Sequence, residues 1–182
     1  MKMNLPNKLT ILRVCMIPFF VFFLMTDYCG AASKYIATAI FVIASFTDML
    51  DGKIARKYNL VTNFGKFMDP LADKLLVCSA LICFIELGKV SSIIVLVIIA
   101  REFIISGFRL VAADKGVVIA AGYWGKLKTV VQMVMIVVVL VDIPFAAFEI
   151  VEQVLIWASL VLTVVSLIDY LVKNKAVLKE EA

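Results

Sequence analysis

The chain of 182 residues contains no histidine. That absence excludes a histidine general base, a histidine-ligated zinc site and a Ser-His-Asp triad. Cysteine is sparse too, with four in all: Cys15, Cys29, Cys78 and Cys83. None forms a CxxC pair, and three sit in apolar runs, so they read as small packing residues with no sign of an oxidising compartment. Charge is the third shortage, at 18% Asp, Glu, Lys and Arg. What fills the chain instead is apolar, 64% against roughly 45–50% in a soluble domain. Mean hydropathy is +1.06. A disordered chain, a secreted disulfide scaffold and an ordinary cytosolic enzyme are all excluded. The net charge of +4 suits an anionic membrane surface better than nucleic acid.

A membrane-crossing helix needs about 20 mainly apolar residues. Six candidates fit: Leu9–Asp27, Ser33–Lys57, Gly65–Leu87, Ser91–Ala112, Tyr123–Val141 and Phe148–Val172. The second ends polar and the third begins polar. The first follows Lys2 and Lys8 in the manner of a signal peptide, but Arg13 and the polar residues before it favour an uncleaved span. Basic residues collect on one side, at the N-terminus, the 2–3 and 4–5 connections and the tail. Only Lys34 and Lys89 fall on the other. The fold class predicted is therefore an all-α integral membrane protein, with six transmembrane helices and both termini cytoplasmic. There is no long linker, low-complexity segment or internal repeat, so residues 1–182 read as a single domain.

The informative segment is Asp48-x-x-Asp51-Gly52-x-x-Ala55-Arg56, then eight residues, then Gly65-x-x-x-Asp69-x-x-x-Asp73. Intramembrane ionisable groups are costly and mark function by default. At 100° per residue Asp48, Asp51, Gly52 and Ala55 share one helix face, and Gly65, Asp69 and Asp73 form a row on the next. Small residues on both faces permit close approach. Four facing carboxylates must be protonated or must bind cations. An all-oxygen donor set without histidine selects a hard ion, Mg²⁺ or Mn²⁺ ahead of Ca²⁺. Two such ions would balance the charge and suit a phosphoryl substrate. Lys53, Arg56, Lys57 and Lys66 beside the acids fit a polyanion. The competing structural reading is a set of salt bridges such as Asp48–Arg56, Asp69–Lys66 and Asp73–Lys74, which would not require the small residues.

Two further clusters lie on the same side. Arg101-Glu-Phe-Ile-Ile-Ser106-Gly-Phe-Arg109 reads as an anion pocket or as an ion pair of Arg101 with an acid or of Glu102 with a lysine. Tyr123-Trp-Gly-Lys126-Leu-Lys128-Thr129 reads as a site element or as interfacial anchoring.

The aspartate segment resembles the signature of the CDP-alcohol phosphotransferase family at every fixed position. The six-helix plan agrees along nearly the whole chain. Asn7-x-x-Thr10-x-x-Arg13, Arg101-Glu-Phe…Ser106-Gly-x-Arg109 and Gly125-Lys-x-Lys128-Thr129 are similar to the branch that uses glycerol 3-phosphate. The resemblance implies transfer of a phosphatidyl group from CDP-diacylglycerol to sn-glycerol 3-phosphate, with release of CMP. It implies that Asp48, Asp51, Asp69 and Asp73 hold two divalent ions and that Asp73 is the general base. It assigns Asn7, Thr10, Gly52, Arg56 and Thr62 to CDP-diacylglycerol, and suggests a homodimer in a bacterial plasma membrane with a cytoplasmic active site. Arg101, Arg109, Lys126 and Lys128 are the choice for the acceptor phosphate, because a dianion suits guanidinium and ammonium groups. Two alternatives stand beside this reading. One keeps the chemistry with another acceptor, inositol phosphate or serine. The other is a cation transporter built on the acidic cluster, against which stand the missing inverted repeats.

Overall fold

The structure, a computed structural model, describes residues 4–57, 63–114, 119–120 and 122–174; the side chains at 5–6, 49–57, 63–67 and 114 fall outside the description. Six helices follow one another: α1 (Leu5–Met25), α2 (Ala32–Lys57), α3 (Asn63–Glu86), α4 (Ser92–Asp114), α5 (Tyr123–Val141) and α6 (Ala146–Lys173). Among the described residues there is no strand. Three helices are long and apolar enough to cross a membrane on composition alone: α1 from Asn7, α5 and α6. In α2, α3 and α4 the charged motifs interrupt the apolar run.

Large apolar side chains lie outside as well as inside, and several polar and charged ones are buried. Arg13, Thr10, Lys128, Ser159 and Thr163 are buried, while Phe19, Ile93, Val154 and Trp157 are exposed. Polar groups inside and large apolar groups outside are stable only where the surrounding solvent is itself apolar. The protein is a membrane protein.

The chain divides into two compact units, residues 1–87 and 88–182. In the first, α1 packs on both α2 and α3. Its buried stripe is Asn7, Thr10, Arg13, Ile17 and Phe20, at helical spacings of three and four. Phe20 meets Phe41 of α2, ring centroids 5.6 Å apart. Small residues, Ala37 and Ala44 on α2 and Ala72 and Ala80 on α3, are buried alongside and let the helices come close. Hydropathy alone places the start of this helix at Leu9. It begins at Leu5 instead, with a proline in its first turn, because its polar end is covered by protein and needs no apolar composition. Cys83 belongs to the core, whereas Cys15 is exposed.

In the second unit α6 packs on α4 and α5. The buried residues of α6 are Glu152, Ile156, Ser159, Thr163, Ser166 and Tyr170. Those of α5 include Lys128, Gln132, Met135 and Val139. Alternating spacings of four and three on both helices form a seam of the coiled-coil kind. At the far end of this seam, α5 stops at Asp142, which adopts the left-handed conformation with φ 46°. Lys89, in the turn before α4, donates to the Asp142 carboxylate at 2.5 Å. This hydrogen bond raises the Lys89 pKa above its ordinary value of 10.5; burial opposes the shift, and the charges of Asp142, Glu152 and Glu149 reinforce it.

A raised lysine pKa contributes stability that is complete below the ordinary lysine range and lost as pH climbs through the raised value. The Lys89→Met variant should therefore melt lower than wild type at neutral pH, and the two curves should converge at strongly alkaline pH. Thermal unfolding of the detergent-solubilised proteins across pH checks this.

Candidate active site

The carboxylates of the 48–73 segment are positioned from α1. Thr10 Oγ1 donates to Asp69 Oδ1 of α3 at 2.5 Å. Arg13 reaches in the other direction, to α2. Its Nη1 pairs with Asp48 Oδ1 at 2.7 Å, and its side chain is 0% exposed. Its Nε donates to the backbone carbonyl of Ala44, one turn earlier on α2, at 3.2 Å. Residues three apart on a helix have Cβ atoms about 5–6 Å apart. One turn of α1 thus holds one acid of α2 and one acid of α3.

Asp73 follows Asp69 by one turn of α3 and is partly buried, and Asn7, one turn before Thr10, is buried on the same stripe. Asp51, Gly52 and Arg56 continue α2, with side chains outside the described residues, and Thr62 lies outside them altogether. Among the described residues no three acids or thiols form a closed metal-binding group. The donor chemistry still fits a hard cation. Asp48 and Asp69 each have an oxygen engaged by a donor from α1, which fixes the carboxylate in the way that outer partners orient metal ligands.

In the second unit Arg101 lies on α4 and is 7% exposed. Its Nε donates to Ser166 Oγ of α6 at 3.2 Å. Its Nη1 pairs with Glu102 Oε1 at 3.0 Å. Lys128 of α5, fully buried, pairs with that same oxygen. The three charges sum to one positive, carried on a carboxylate bridge between two cations. Arg109, two turns on from Arg101, stands over the Tyr170 ring at 5.8 Å from its centroid. Both arginines line a cavity of about 310 Å³, with Gly122, Gly125, Asp169 and Tyr170 among the other walls. Lys126 is exposed on the first turn of α5, and neither it nor Lys128 lines this cavity.

Sequence reasoning offers Glu102 one role, an ion pair with a lysine, and Lys128 supplies that lysine while Arg101 shares the same oxygen. It offers Arg13 no role of its own, although a signal is present: Asn7, Thr10 and Arg13 recur every three residues and so share a face.

The chain matches the family model described as CDP-alcohol phosphatidyltransferase over residues 3–165. Among curated proteins it is similar to the CDP-diacylglycerol–glycerol-3-phosphate 3-phosphatidyltransferase of Bacillus subtilis, 44% identical over 97% of each chain. Enzymes of the same name from Haemophilus influenzae and Rickettsia typhi are 41% and 39% identical. The alignments cover 94% of this chain and 93% of the first, and 92% of this chain and 94% of the second.

Arg13 is fully buried and links two helices, whereas the Asp48 side chain is 36% exposed, so the loss of the arginine is felt chiefly as the loss of that link. Arg13→Met should lower the melting temperature of the solubilised protein clearly. Arg13→Lys should recover only part of the loss, because an ammonium cannot serve Asp48 and the Ala44 carbonyl in the same fork. Full recovery by lysine would contradict the two-pronged role.

Proposed function

The chain belongs to the CDP-alcohol phosphatidyltransferase family, and we propose that it transfers the phosphatidyl group of CDP-diacylglycerol to sn-glycerol 3-phosphate. The products are phosphatidylglycerophosphate and CMP. The observation that carries this reading is the joint hold of α1 on Asp48 and Asp69, the acids of the family motif, in a chain whose relatives carry that enzyme name along their whole length.

The chemistry follows from the groups. The 1-hydroxyl oxygen of the acceptor forms a bond to the phosphorus that bears diacylglycerol. The bond from that phosphorus to the bridging oxygen breaks, and the electron pair leaves with CMP. The hydroxyl proton goes to Asp73, one turn from Asp69. An alcohol is a weak acid, so a carboxylate base alone is insufficient. Asp48, Asp51, Asp69 and Asp73 would hold two Mg²⁺ or Mn²⁺ ions, which when bound would polarise phosphoryl oxygens and offset developing charge. Thr10, by donating to Asp69, holds that carboxylate in place. Arg56 and Gly52, with Asn7, Thr10 and Thr62, are the groups for the cytidine diphosphate. Arg101 and Arg109 bind the acceptor phosphate, with Lys126 at the cavity's approach and Lys128 acting through Glu102. Serine offers no dianion for this cavity, and the relatives' names favour glycerol 3-phosphate over inositol phosphate.

The same reading places all six helices across the cell membrane, with both termini and the active site cytoplasmic. Residues 1–182 work as one functional domain, in a homodimer.

The experiment is product identification. Purified protein given CDP-diacylglycerol, sn-glycerol 3-phosphate and Mg²⁺ should release CMP and phosphatidylglycerophosphate in equal amounts. Asp69→Asn and Asp73→Asn should each lower the rate by at least about a thousandfold, and excess EDTA should stop turnover. Near-normal rates in either variant, or no lipid product from glycerol 3-phosphate, would sink the assignment.

A further inference from the structure

We infer that Asp169 reads a hydroxyl of the acceptor, so that the cavity of residues 101–174 selects a phosphorylated polyol over an alkyl phosphate of the same length. The inference rests on the acceptor reading above and names a residue which that reading leaves without a role.

The cavity has a cationic part and an acidic part. Arg101 presents its Nη2 to Gly125: a Cβ placed there would lie 3.4 Å from that nitrogen. Asp169 presents its Oδ2 to Gly122 in the same way, also at 3.4 Å. The two glycines are three residues apart where α5 begins, about 4.5 Å along the helix. Guanidinium and carboxylate therefore both lie against the start of α5, where the missing side chains let them approach the backbone closely. Both also line the cavity, so a ligand in it meets a cationic and an acidic group.

A carboxylate in a phosphate-binding cavity is a cost unless it does something else. Beside a dianion it repels, and for inorganic phosphate alone the site would be better without it. A ligand that carries both a phosphate and a neutral hydroxyl reverses the sign, because the hydroxyl donates a charge-assisted hydrogen bond. Lys173 holds Asp169 Oδ1 at 2.7 Å from the outside and is itself 62% exposed. That pair leaves Oδ2 as the oxygen on the glycine side. An exposed i, i+4 pair is worth little to stability, and such a pair does not require a glycine at 122. A further polar group waits at the next position. The Tyr170 hydroxyl is buried without a hydrogen-bond partner among the described residues, and its ring forms the floor between Arg109 and Phe108.

The test is a cycle between the acid and the substrate hydroxyl. Wild type, Asp169→Asn and Asp169→Ala are assayed with CDP-diacylglycerol and either sn-glycerol 3-phosphate or 3-hydroxypropyl phosphate, which lacks the central hydroxyl. Wild type should prefer glycerol 3-phosphate by about a hundredfold or more in kcat/KM. Both variants should shrink that preference at least about tenfold, chiefly by losing activity on glycerol 3-phosphate, with KM for CDP-diacylglycerol unchanged. Gly122→Ala, which crowds Oδ2 without touching the acid, should shrink it too. Lys173→Met should keep the preference. Equal use of both acceptors by wild type, or variants at position 169 that retain the full preference, would overturn this inference and leave the transferase reading intact. If position 169 tolerates no substitution, an undiminished preference in Gly122→Ala overturns it instead. No transfer to either acceptor overturns both.

Discussion

The site in residues 1–87 depends on a positive charge with no access to solvent. Arg13 is 0% exposed and sits on a helix that otherwise presents Leu12, Phe19 and Phe22 outward. A guanidinium in such surroundings is tolerable only if it is paired and its donors are used. Asp48 and the Ala44 carbonyl meet that demand. The requirement works in both directions: the arginine needs the carboxylate, and the carboxylate is held where the arginine puts it. With Thr10 doing the same for Asp69 one turn earlier, the spacing of two acids on different helices becomes a property of a third. The base and metal ligands proposed for this site would gain from such advance positioning, since they must not relax when charge develops.

The second unit solves the same problem with opposite bookkeeping of sign. There the needed charge is cationic, and Glu102 is the group that makes it tolerable. One carboxylate oxygen serves both Arg101 and Lys128, while Ser166 takes the Arg101 Nε. The guanidinium is thus fixed by α4 and α6, and α5 supplies the counter-cation. Lys128 is remote from the cavity lining, yet it governs how much negative charge the Arg101 neighbourhood carries. The glycines at 122 and 125 complete the arrangement, since any side chain there would stand against Asp169 or Arg101.

How much of this was legible beforehand follows from where the information lies. The Asp48–Asp73 spacing is a property of single helices, so the sequence states it directly. The helical order and Tyr123–Val141 were readable for the same reason. The polar start of α1 was not, because hydropathy counts composition and cannot see that Asn7, Thr10 and Arg13 are covered by other helices. Lys128 carried two readings, anion site and membrane anchor. Its partner is Glu102, 26 positions away; the sequence offered a Glu102–lysine pair, but only the packing of α5 on its neighbours says which lysine. Asp169 belongs to no motif. Only the cavity, which gathers residues from α4, α5 and α6, sets it beside the arginines.

These cases share a rule with consequences for reading such chains. In water a charged side chain can be solvated anywhere, so its position carries little information. In an apolar solvent each charge must be matched by a group from a neighbouring element, and a mismatch is informative. Asp48, Asp69 and Glu102 each have a matched donor among the described residues. Among the described residues Asp169 is held by an exposed lysine on its outer side, while its other oxygen lies against Gly122 in a cavity that two arginines also line. Among those residues the carboxylate is half satisfied, and a ligand with a hydroxyl beside its phosphate is the donor proposed for its other oxygen.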